Sequence, residues 1–157
     1  MVGVARGWEV TQNATLANIT ANFHSILGAH YSYATGGSNV NEHWSSPDQL
    51  GDAVATNFNA DEAPENSNGF HTEETCTQYN ALKMLRHLFR WQPAASIADD
   101  YEIKLNNGIL GVQQPGVVGS MSYMTPLGRG VNRNKWDMRA TAPPLPSIIL
   151  CAAARRR

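Results

Sequence analysis

Between Thr75 and Trp91 the apolar residues recur at helical spacing: Tyr79, Leu82, Leu85 and Phe89 line one face, and Ala81, Met84 and Leu88 widen it. An amphipathic helix of this kind must bury its face against another element, so the run demands partners. Pro93 ends it. Its start offers two caps: Thr72 ahead of Glu73-Glu74, or Thr75 with Gln78 three positions on, in a capping box. A second helix is expected over 15–27 from Leu16, Ile19, Phe23, Ile26 and Leu27, with Gly28 as its stop. A third is expected over 94–107 from Ile97, Tyr101 and Leu105, with Gly108 as terminator. Residues 117–125 alternate enough for a short strand near the C-terminus.

The stretch 35–71 is polar and rich in Gly, Ser, Asn and Asp, with nothing to bury in Asp61-Glu62-Ala63-Pro64-Glu65-Asn66. Loops of this length are functional or disordered, so its first part is expected to be functional and its second mobile. Helices joined by long loops at one end give an all-α architecture.

The chain has 157 residues, enough for one domain, and a formal net charge of −1. That balance gives no electrostatic reason to expect nucleic acid or an anionic membrane as partner, and Arg155-Arg156-Arg157 is too short to change it. No apolar run approaches the roughly 18–20 residues that span a bilayer. Residues 1–10 lack the apolar core of a signal peptide. The sequons at Asn13 and Asn18 matter only in a secreted protein. Two cysteines, Cys76 and Cys151, make no disulfide framework.

Two constellations could carry chemistry. The first is His30-Tyr31-Ser32-Tyr33-Ala34-Thr35-Gly36-Gly37 followed by Asn41-Glu42-His43-Trp44. An aromatic face with a carboxylate and imidazoles suits a sugar site; a turn with an exposed Glu accounts for the same residues. The second is Glu73-Glu74-Thr75-Cys76. Carboxylate and thiolate can share a zinc ion, but positions two apart on a helix face opposite sides. Glu74 and Cys76 can act together only if the helix begins between them, where its N-terminus also favours the thiolate. The alternative is a small buried Cys behind an acidic first turn. Lys83, Arg86 and Arg90 read as a solvated helix face, Asp99, Asp100 and Glu102 as helix surface, and His24 and His87 as packing or surface residues.

The ordered set resembles glycoside hydrolase family 127, the β-L-arabinofuranosidases. The matching pieces are Tyr33-Ala34-Thr35-Gly36-Gly37 with Glu42, then Glu74-Thr75-Cys76 with Asn80 and Leu82-Lys83. Arg86-His87-Leu88-Phe89-Arg90-Trp91, Ala98-Asp99-Asp100-Tyr101-Glu102 and Asn107-Gly108-Ile109-Leu110 follow, then Gln113, Tyr123 and Pro126-Leu127-Gly128. The resemblance implies an (α/α)6 barrel, of whose dozen helices about three are legible, so a partial catalytic domain is expected over 15–131. It implies a carbohydrate substrate and retaining hydrolysis, with Glu42 as acid/base, and the residues of the first constellation, His30, Tyr33, His43 and Trp44, are then expected on the sugar. It also implies zinc held by one Glu and three Cys, with Glu74 and Cys76 at two of those positions.

The family's adjacent Cys-Cys pair, one of which is the nucleophile, has no counterpart here, so the ligand set is incomplete and the chain alone is expected to be inactive. A non-catalytic carbohydrate-binding remnant and a helical interaction module are the competing readings. Residues 132–157 change character abruptly, with three prolines in 140–146 and then Ile148-Ile149-Leu150-Cys151-Ala152-Ala153. Reading that last stretch from the third base of each codon can give Leu followed by consecutive Cys, so a divergent, out-of-frame tail is expected.

Overall fold

The computed structural model describes residues 1–40, 42–44, 46–50, 72–114, 119–125 and 127. The second part of the long polar stretch, the tail 132–157 and Cys151 lie outside the described residues.

The chain begins with α1 (Val2–Thr11), which sequence periodicity did not announce. Gln12 closes it in the left-handed conformation, φ 58°, and returns its N–H to the Trp8 carbonyl at 2.8 Å. α2 (Ala14–His30) starts where Asn13 caps it, the Asn13 side chain accepting from the Thr15 N–H at 3.0 Å. Gly28 does not stop α2. It sits inside the helix facing open space, and the helix runs on to His30.

α3 (Thr75–Trp91) spans the expected run, but neither expected cap forms. Glu74 is the N-cap residue and makes no capping bond through its side chain. Thr75 is already helical, and its hydroxyl donates to the carbonyls of Ser122 and Tyr123 at 3.2 and 3.0 Å. Tertiary acceptors have displaced the local capping box.

α4 (Ala95–Leu105) passes directly into a π-helical turn, Asn106–Leu110. Gly108 therefore does not terminate the helix; it lies buried within the wide turn. The reason is contact: a Cβ on Gly108 would stand 1.8 Å from the Gln78 amide oxygen, so glycine is what lets the turn press against α3.

The expected strand over 117–125 is also corrected. Among the described residues the segment forms an isolated antiparallel bridge, Met121 with Gln113. Its backbone is shared between two neighbours: the Ser122 N–H donates to the Val112 carbonyl at 2.9 Å and the Thr125 N–H to the Thr72 carbonyl at 3.0 Å. Divided in this way, its described residues form no long ladder on either side.

α3 is the hub, packed against α1, α2 and α4. Leu85 and Met84 are 0% and 1% exposed, with Ala81, Leu82 and Leu88 buried beside them. Each buried Leu or Met side chain here stabilises the fold by roughly 1.5–3 kcal/mol relative to exposure. The buried stripe is turned relative to the expected one, leaving Phe89 42% exposed and drawing in Gln78. On α2, likewise, Leu27 is buried while Ile19 and Ile26 are exposed.

Histidine–carboxylate hydrogen bonds join the helices to one another. His24 on α2 meets Asp100 on α4 at 3.1 Å, and the buried Lys104 also bonds to Asp100. Burial pushes the Asp100 carboxyl up, but the hydrogen bonds from His24 and Lys104 together outweigh it and hold it below its ordinary value. His87 on α3 meets Glu9 on α1 at 2.7 Å. Both histidines thus bridge helices. No helix among the described residues is long and apolar enough to cross a membrane.

Candidate active site

The polar residues gather at the N-terminal end of α3. There Glu74 ends the extended approach and Cys76 lies in the first turn, so the helix does begin between them. Glu74 is 5% exposed. Asn39 clasps it twice: the Asn39 Nδ2 donates to the Glu74 carboxylate, and the Glu74 N–H donates to Asn39 Oδ1 at 3.1 Å. Thr77 Oγ1 adds a longer bond to the same carboxylate at 3.4 Å.

Glu42 reaches the same place from the other side. The backbones of Val40 and His43 bond each other twice, both at 3.0 Å, and so close a tight hairpin turn that carries Glu42. Its φ of 63° is left-handed, a conformation that costs an L-residue roughly 1–2 kcal/mol. A second bridge, Val40 with Thr72, joins this hairpin to the approach of α3. The Glu42 carboxyl is thereby brought against that of Glu74. Burial raises the Glu74 pKa, the Asn39 hydrogen bond opposes it, and the charge of Glu42 raises it further. Glu42 is the exposed member of the pair.

The Tyr123 hydroxyl donates to the Cys76 sulfur at 2.9 Å and also hydrogen-bonds Glu74, so it spans the two. Glu74 and Cys76 are two donors of the kinds zinc accepts, yet a closed zinc site takes four. Among the described residues no group of three or more His, Cys, Asp or Glu is placed to hold a metal, so the donor set falls short of a zinc site.

The remaining candidates are spread around this centre. Trp44 is 47% exposed; its indole N–H donates to Ser38 Oγ at 3.2 Å and its ring meets Phe23 edge-on at 5.8 Å. It walls a cavity of about 390 Å³ shared with Phe23, Leu27, Thr77, Asn80 and Met84. His43 contributes its backbone to the hairpin, and its side chain is exposed. The Tyr33 hydroxyl is buried with no hydrogen-bond partner among the described residues. Burial and then the Glu73 charge push its pKa up to about 12. His30 pairs with Asp48 at 2.9 Å on an exposed edge.

Sequence reasoning did not single out Asn39, Glu73 or Tyr123 as site residues. The signal for Tyr123 was its place in the matched Tyr-x-x-Pro-Leu-Gly piece; nothing in the sequence marked Asn39. No curated protein matches the chain. A family profile, beta-L-arabinofuranosidase GH127 catalytic domain, matches residues 1–151.

Proposed function

The chain belongs to the GH127 beta-L-arabinofuranosidase catalytic-domain family, and on that premise we propose that its site is that of a retaining glycosidase for arabinose-containing glycans. Glycosidase activity is what the family implies. The observation that carries the finer reading is the pairing of Glu42, exposed at the tip of a strained hairpin, with Glu74 at the cap of α3.

In this reading Glu42 protonates the departing glycosidic oxygen and later takes a proton from water. Trp44 presents its open face to the sugar, and His30, Tyr33 and His43 supply polar contacts. Zinc is proposed as the metal of the complete site, with Glu74 and Cys76 as two of its four ligands and the other two positions not supplied by the described residues.

The chain has two cysteines in all, one fewer than the three thiolates that the resemblance requires. We therefore propose that this chain by itself binds sugar without turning it over, the carbohydrate-binding reading. Acid/base help alone contributes about 10²–10⁴-fold, well short of glycosidase rates. An aryl β-L-arabinofuranoside should show no hydrolysis above background, while arabinose should shift the Trp44 fluorescence or indole resonance. Turnover that disappears in Glu42→Gln would overturn the proposed inactivity and identify Glu42 as the acid/base. Binding of neither sugar nor zinc would leave a helical interaction module.

A further inference from the structure

Glu73 is neither the acid/base nor a proposed ligand, yet it carries two costs at once. It is 1% exposed, and an ionised carboxylate loses its hydration when buried. Its φ is 54°, again left-handed. Strain of this kind persists only where the surroundings over-determine it.

Those surroundings are the loop that leads to Glu42. Glu73 Oε1 accepts from the Thr35 hydroxyl and from the Gly37 N–H, the latter at 3.2 Å. The Glu73 N–H donates to the Asn39 carbonyl at 3.0 Å. A Cβ on Gly37 would lie 2.3 Å from Glu73 Cγ, so this glycine is required by the carboxylate side chain itself. On the loop's far side Gly36, at φ 95°, packs against Ile103 and Lys104, and Asn107 Nδ2 donates to the Thr35 carbonyl at 3.0 Å. The loop is pinned from both sides, and two residues further on Asn39 clasps Glu74.

We infer that Glu73 is a positioning residue, whose acceptor oxygen fixes the 33–39 loop so that Asn39 engages Glu74 and the following hairpin sets Glu42 against it. This rests on the proposed roles of Glu42 and Glu74. What matters is an acceptor of this shape at this place: Gln can supply one, and Ala or Leu cannot.

The test uses the full chain labelled with ¹⁵N and follows the Asn39 side-chain amide, whose exchange with solvent should be slowed by its bond to Glu74. Glu73→Ala and Glu73→Leu should return that amide to free-amide exchange, Glu73→Gln should keep it protected, and Thr35→Val should weaken the protection. Cobalt(II) titration, read by its thiolate absorption, is the second measurement. Glu73→Ala should weaken cobalt binding by about 10–100-fold and Glu73→Gln by no more than about threefold, as for groups that orient ligands.

A purely structural Glu73 would lower the melting temperature while leaving the Asn39 amide protected in the folded molecules, and that result overturns the inference. Equal loss in Glu73→Gln and Glu73→Ala overturns it too. If the parent chain takes up no cobalt, the zinc reading falls, and the Asn39 amide still decides Glu73. If Glu73→Ala does not fold, Thr35→Val decides: unchanged protection of Asn39 there rejects the role.

Discussion

The two ends of α3 hold carboxylates in opposite circumstances. Near its C-terminal end Glu9, reaching across from α1, is surrounded by donors: His87 at 2.7 Å, Arg6 at 2.7 Å and the Trp91 indole at 3.2 Å. The His87 hydrogen bond, then that of Arg6, hold its pKa down to about 2. At the N-terminal end Glu74 is buried beside a second carboxyl, and its pKa is raised. Donors around a carboxylate fasten helices together. A buried carboxylate facing another is a charge the fold works against, and such groups cluster at functional sites.

The largest expected effect removes what the two ends share. Leu85→Ala, at the fully buried middle of α3, should destabilise the chain by about 2–5 kcal/mol in urea denaturation. A single transition followed at both ends is expected. Two separate transitions would mean that the ends belong to independent units, and the contrast between them would lose its meaning.

Next come the isosteric neutral variants, whose signs should differ. Glu9→Gln should lower the melting temperature at neutral pH, because a charge held by donors is lost. Glu74→Gln should leave it unchanged or raise it, because a buried charge beside Glu42 is removed while the amide oxygen still accepts from Asn39. Shifts of the same sign would break the comparison.

The pH dependence sharpens it. Glu9 has a folded pKa below its reference value of 4.5, so its contribution is complete above pH 4.5 and is lost as pH falls toward about 2. The stability difference between the parent chain and Glu9→Gln should shrink over that window in acid titrations of the melting temperature. Glu74 is shifted upward, so it binds its proton more readily folded than unfolded, and acid should relieve its cost. A difference that instead grew in acid for Glu9→Gln would contradict the assignment of Glu9.

The smallest effect is expected for Arg6→Ala. Arg6 is 66% exposed in its pair with Glu9, and exposed ion pairs contribute little. A melting shift comparable to that of Glu9→Gln would show that the Arg6 pair within α1, rather than the His87 bond across to α3, carries the stabilisation by Glu9.

Much of the helical frame was legible. The bounds of α3 follow from its apolar spacing and Pro93, and α2 and α4 were recognisable within a turn. The stops were misjudged because Gly28 and Gly108 were read as local signals. Gly28 has open space around it, and Gly108 serves a contact with Gln78 from another helix. α1 went unread because its buried side is largely Ala5, too small to register as a stripe. In the site, Glu42, Glu74 and Cys76 were named from an ordered set of short pieces, while Asn39 and Glu73 were not, since an Asn in a polar loop and the first of two acidic residues carry no pattern.

The sequence by itself determined the family, the helical class and the chemical types available: carboxylates, a thiol, imidazoles and an indole. These depend on composition and on spacing along the chain, which survive without coordinates. Only the tertiary structure decided which carboxylate is buried and which exposed, that Tyr123 spans Glu74 and Cys76, and that Glu73 pins the loop leading to Glu42. Each of those depends on groups between 32 and 49 positions apart brought into contact. Burial and the charge of a neighbour then set how a carboxyl behaves, and neither is a property of the residue alone.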